Sequence, residues 1–177
     1  HIMTIESSAA PTQLFPLVRQ LSYRLTPILL KTPITPNQIT AVSLFFGLMC
    51  AVCFMLGNYL FGIIGAVFLT ISYTLDNCDG EVARIKKMSS EFGAKFDDMV
   101  DWMVDASFFA ALGYGTSQAM NQPFWFWLGC AAAAGAFIDY IVDLFYYARN
   151  KQEEDSKTRE ERAIDFKKPA NTVDWLI

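Results

Sequence analysis

Four aspartates, Asp76, Asp79, Asp97 and Asp101, stand at helical spacing beside and within runs of membrane-grade hydrophobicity. Bare acids in a lipid-facing segment are costly, so they must face one another across a polar cleft, and a divalent cation is the natural compensator. The apolar runs cover about 38–56, 59–75, 100–114 and 123–148. Most approach the roughly 20 residues that cross about 30 Å of hydrocarbon. The expectation is an all-α, polytopic membrane protein with four recognisable transmembrane helices. A composition of 53% hydrophobic and 15% aromatic residues agrees, and charged flanks hold the mean hydropathy to +0.26.

Charge supplies an orientation. The 14 basic residues avoid both short turns, around 57–58 and 115–122. They fall instead before the first run (Arg19, Arg24, Lys31), around the middle connection (Arg84, Lys86, Lys87, Lys95), and from Arg149 onward. By the positive-inside rule the termini, the middle connection and the acidic site face the cytosol.

Residues 1–2, ahead of Met3, read as a cloning remnant, and residues 3–34 as an N-terminal segment. Within it, 11–30 repeats Leu14, Phe15, Val18, Leu21, Leu25 and Leu29 at near-helical spacing. That pattern is read as an interfacial helix lying along the cytosolic leaflet, with an ordinary soluble amphipathic helix as the alternative. Thr35-Pro36-Asn37-Gln38 is a helix-start signal opening the membrane domain, 35–149. Residues 150–177 form a charged cytosolic connector, a solvated helix or loop, and the start of a further element.

The central hairpin can be laid out from helical rise. With the turn at 88–90, Asp79 and Asp97 lie roughly 13 Å from it, and Asp76 and Asp101 roughly 18 Å, at about 1.5 Å per residue. Asp76, Asp79, Gly80, Ala83 and Arg84 share one face, as do Gly93, Asp97 and Asp101. Four acids this close repel, and two hard cations such as Mg²⁺ or Mn²⁺ would relieve them. Gly80, Ala83 and Gly93 leave room either for a phosphorylated ligand or for close helix packing. Arg84 suits a phosphate, and also a cytosolic helix end.

Together these residues spell D-x2-D-G-x2-A-R-x8-G-x3-D-x3-D, and the chain resembles the CDP-alcohol phosphotransferases, whose signature this is. With eight specified residues at about 5% usage, a chance match is on the order of one in 10¹⁰ per start position. The resemblance implies metal-dependent transfer of a phosphatidyl or similar group from a CDP-linked donor, CDP-diacylglycerol for preference, to an acceptor alcohol, with release of CMP in phospholipid synthesis. It implies that Asp76, Asp79, Asp97 and Asp101 hold two ions, Mg²⁺ or Mn²⁺, and that Asp101 is also the catalytic base. Asp79, Gly80, Ala83, Arg84 and Gly93 would surround the CDP, joined by Asn37 and Thr40. It further implies a six-helix fold, of which this sequence supplies four helices, and a homodimer among membrane lipids, with no nucleic-acid partner.

No extra basic residue lies in the fourth run, which carries Asp139 and Asp143, with Asp105 on the third. This leans toward a neutral or cationic acceptor. Two other functions fit intramembrane acids: a cation transporter or channel subunit, and a non-catalytic CDP-lipid-binding protein. Cys50 and Cys53 form a C-x2-C inside an apolar run with no second pair, which reads as packing rather than zinc binding or redox chemistry. Phe124, Trp125 and Trp127 read as core and interfacial belt.

Overall fold

The computed structural model describes residues 16–167, with side chains over residues 17–150 and 152. The expectations for 1–15, including Leu14 and Phe15, and for the further element after 168 lie outside the described residues. The described chain consists of five helices: α1 (Pro16–Leu30), α2 (Pro36–Met55), α3 (Tyr59–Ile85), α4 (Glu91–Met120) and α5 (Phe124–Lys167). It divides into two units between residues 137 and 138. The second begins with the continuation of α5, which carries Asp139 and Asp143 and stays helical through the charged stretch to Lys167.

Three segments, Pro36–Met55, Tyr59–Ile85 and Phe124–Asn150, are long and apolar enough to cross a membrane. The other expected span, 100–114, lies inside α4, whose 30 residues provide the length. Its apolarity falls short because the helix carries its carboxylates into the bundle, and polar residues expected in a turn at 115–120 extend it instead.

Local signals set the ends. Thr35 caps α2, its N–H donating to Gln38 Oε1 at 3.0 Å, with Pro36 as first helical residue. Asn58 caps α3 by accepting from Leu60 N at 2.9 Å, and Ser90 caps α4 by accepting from Gly93 N at 3.0 Å. The tight link between α2 and α3 needs Gly57, whose φ of 58° lies in the left-handed region. A Cβ there would stand 2.5 Å from Gly115 O, so this turn rests on the backbone of α4.

α2 packs against both α3 and α4, and α1 packs against α3. The core between them is small: Ile39 and Cys50 from α2, Val82 from α3, Val100 and Val104 from α4. Cys53 is buried on the same helix, in keeping with a packing role for both cysteines. Large apolar side chains such as Phe45, Leu60, Trp127 and Leu128 point outward, the pattern of a surface meant for lipid.

α1 inverts the soluble amphipathic pattern. Ser22 and Thr26 are buried, while Leu17, Tyr23 and Ile28 are exposed. Thr26 donates to Glu81 Oε2 at 2.6 Å and Cys78 Sγ donates to Ser22 O at 3.8 Å, so the polar stripe seats α1 on the motif-bearing part of α3. Its large apolar residues Leu17, Tyr23 and Ile28 lie on the outward side.

α4 and α5 cross at paired glycines. A Cβ on Gly113 would stand 2.6 Å from Gly129 Cα, and one on Gly129 2.7 Å from Gly113 Cα. Both clashes are with backbone, which no rotamer change relieves. Gly113→Ala should therefore lower the thermal midpoint in detergent, at a cost of about 1–3 kcal/mol for overpacking. Gly62→Ala, where nothing lies within 4 Å, should leave it unchanged or higher. An unaltered midpoint in Gly113→Ala would contradict the crossing.

Candidate active site

The end of α3 and the start of α4 bring the signature together. Asp76, Asp97 and Asp101 each place a carboxylate oxygen within 4.8 Å of the others. Asp76 Oδ1 and Asp97 Oδ1 are buried and without a hydrogen-bond partner among the described residues. Unpaired buried carboxylate oxygens facing like charges fit a hard divalent cation, which takes oxygen ligands and cancels the repulsion. Asp101 is the exposed member of the three.

Spacing alone treats the four aspartates as equivalent, and the structure distinguishes them. Asp79 is 3% exposed, and the Thr40 hydroxyl, itself buried on α2, donates to its carboxylate. A hydrogen bond to a charged group contributes about 1.5–3 kcal/mol, which offsets part of the cost of burying the acid. Thr40, expected beside the nucleotide, thus lies behind Asp79.

The remaining residues expected around CDP, namely Asn37, Asp79, Gly80, Ala83, Arg84 and Gly93, line one cleft of about 180 Å³. Asp97 belongs to this cleft and to the carboxylate cluster, so the two are continuous. Gly80 meets no other helix: a Cβ there would find only the Arg84 guanidinium, at 3.7 and 4.0 Å. Its missing side chain opens the cleft rather than admitting a neighbouring helix. A Cβ on Gly93 would stand 3.1 Å from both Asn37 Oδ1 and Ser90 Oγ, so any side chain there would crowd the wall.

Several contributors escaped the sequence reading. Pro36, Ser89, Ser90 and Ala94 also line the cleft. The Ser90-Glu91 start of α4 is a capping signal that could have placed Ser90 there. Tyr73 donates to Asp105 Oδ1 at 2.7 Å, one helical turn beyond Asp101. No local pattern announces that bond, which spans 32 residues. At the same depth Ser72 donates to Ser43 O at 2.8 Å, and buried Val104 packs at Gly47. Farther along α4 the buried residues are Ala111, Gly113 and Gly115, none with a polar side chain.

Fold and site together define an integral membrane protein with a carboxylate-lined cleft between its helices. The chain belongs to the CDP-alcohol phosphatidyltransferase family, whose profile it matches over residues 33–159. A relative from Thermococcus kodakarensis named "Bifunctional IPC transferase and DIPP synthase" is 33% identical over 130 residues, covering 73% of this chain and 28% of the relative. An "Archaetidylinositol phosphate synthase" from Pyrococcus horikoshii is 32% identical over 100 residues, 56% of this chain and 52% of that one. A "CDP-diacylglycerol--serine O-phosphatidyltransferase" from Helicobacter pylori is 38% identical over 66 residues, 37% of this chain and 27% of the relative. The chain therefore spans about half or less of the length of these relatives.

The open surroundings of Gly80 separate stability from function. Glycine inside a helix is roughly 0.5–1 kcal/mol less stable than alanine. Gly80→Ala should thus raise the thermal midpoint slightly in detergent while weakening binding of a cytidine nucleotide. A lowered midpoint would show that Gly80 is a packing contact.

Proposed function

We propose that this chain is a metal-dependent CDP-alcohol phosphotransferase of phospholipid synthesis. It moves a phosphatidyl group from CDP-diacylglycerol to an acceptor alcohol and releases CMP. The observation that carries this reading is the continuity of the three-carboxylate cluster with the cleft lined by Gly80, Ala83, Arg84 and Gly93. The relatives' names span serine and inositol phosphate products, which supports a CDP-linked lipid donor and leaves acceptor choice to the pocket.

Asp76, Asp79, Asp97 and Asp101 would hold two ions, Mg²⁺ or Mn²⁺, which would screen the donor's pyrophosphate and favour departure of CMP. Gly80, Ala83 and Gly93 let the cytidine phosphates approach the helix backbones, and Arg84 offers a two-pronged grip on phosphate. Asn37 closes the side of the cleft formed by α2, and Thr40 fixes the carboxylate of Asp79. Asp101, exposed at the edge of the cluster, takes the proton of the acceptor hydroxyl. The acceptor oxygen forms its bond to the lipid-bearing phosphorus as the phosphoanhydride bond breaks, and CMP leaves with the electron pair. The basic residues flanking this end orient the site toward the cytosol and the inner leaflet. A homodimer belongs to the same proposal.

A channel or transporter reading is disfavoured, because past Asp105 the buried residues of α4 are Ala111, Gly113 and Gly115, which offer an ion no polar side chain. The test is CMP release in detergent from CDP-diacylglycerol with a panel of acceptors: serine, inositol, inositol phosphate, glycerol 3-phosphate, choline and ethanolamine. Release should require one acceptor and Mg²⁺ or Mn²⁺, and should stop on chelation. Asp101→Asn should reduce turnover by roughly 10²–10⁴-fold, the usual contribution of a general base, while CDP binding persists. Loss of CDP binding in that variant would make Asp101 a metal ligand alone. A wild-type chain that neither releases CMP nor binds CDP with metal would overturn the proposal.

A further inference from the structure

Four basic residues surround the cleft end of the hairpin, and on charge alone each is a candidate phosphate ligand: Arg84, Lys86, Lys87 and Lys95. Lys86 is already committed elsewhere. Its Nζ donates to Thr32 O at 2.8 Å and to Ile34 O at 2.9 Å. It does not line the cleft, although Arg84 before it and Met88 after it do.

The carbonyls it holds belong to the irregular link between α1 and α2. Thr32 is bonded back to Leu29 O by its N–H at 3.0 Å and its hydroxyl at 2.7 Å, so the stretch that depends on Lys86 is the one between Thr32 and the Thr35 cap. Pro33 has no N–H, and the residues between Thr32 and the Thr35 cap belong to no helix. Three residues beyond Ile34 comes Asn37, which with Pro36 forms the α2 wall of the cleft. Asn37 Oδ1 lies opposite Gly93 on α4.

The anchor itself is rigid. Lys86 caps the C-terminus of α3, where a cation is favoured by the exposed carbonyls. Lys87 follows in the left-handed region at φ 55°, and Met88 N closes the turn by donating to Ala83 O at 2.9 Å. A stiff helix end thus grips a loop that has no regular structure of its own, 54 and 52 residues away in sequence.

We infer that Lys86 is a positioning residue, which straps the 32–35 link to the end of α3 and so holds Asn37 against Gly93 as one wall of the nucleotide cleft. This rests on the cytidine-nucleotide reading of the cleft given above. A phosphate ligand would act on nucleotide directly, whereas a strap acts through Asn37, and a double-mutant cycle tells the two apart.

The experiment measures CDP binding with Mn²⁺ for the wild type, Lys86→Met, Lys86→Arg, Asn37→Ala and the Lys86→Met/Asn37→Ala double variant. Backbone hydrogen exchange over residues 32–37 is followed in the same nucleotide-free detergent samples. Lys86→Met should weaken CDP about tenfold and speed exchange of the link. Lys86→Arg, which keeps the charge and the donors, should restore both to within about twofold. The double variant should bind no worse than Asn37→Ala. Losses that multiply in the double variant, or unchanged exchange in Lys86→Met, would overturn the strap. A wild type that binds no CDP would instead sink the nucleotide reading, and the exchange result would still decide whether Lys86 holds the link.

Discussion

Like charge brought together inside an apolar bundle is the constraint around which this protein is arranged. Asp76, Asp97 and Asp101 put carboxylate oxygens within 4.8 Å of one another, two of them on buried oxygens with no hydrogen-bond partner among the described residues. Water reaches Asp101, the exposed member, but the buried Oδ1 atoms of Asp76 and Asp97 are left without that relief. The polar features around the cluster compensate in turn. Thr40 satisfies Asp79, Tyr73 satisfies Asp105, and a cation is left as the partner for the rest.

Holding those acids in register falls to α2. It packs on both carboxylate-bearing helices, supplies Thr40 beneath Asp79, and contributes Pro36 and Asn37 to the cleft wall. Its N-terminus is tied from outside by Lys86, while α1 is seated on α3 through Thr26 and Glu81. α1, the Lys86 side chain and α2 therefore converge on the same end of the bundle.

Much of this was legible in the residues. The D-x2-D-G-x2-A-R face is periodic at 3.6, so helical geometry alone puts Asp76, Asp79, Gly80, Ala83 and Arg84 on one side, and the cleft they line follows. Thr35-Pro36 announced the start of α2 because capping is local chemistry. What periodicity could not give was the third helix in contact. Thr40 meets Asp79 across 39 residues, and Lys86 meets Thr32 across 54, and neither pairing leaves a trace in spacing. Hydropathy placed a run at 100–114 but caught only the middle of α4, because the acids before it and the polar residues after it lower the apolarity at both ends of the helix.

The central claim is that the carboxylate cluster exists to hold divalent cations. Electron paramagnetic resonance of Mn²⁺ titrated into the detergent-solubilised protein tests it without any nucleotide or acceptor. The account predicts bound Mn²⁺, displaced by Mg²⁺ and severely weakened in Asp76→Asn and in Asp97→Asn, with helical content unchanged. Mn²⁺ that stays free in the wild type, or binds the two variants as tightly as the wild type, would contradict it.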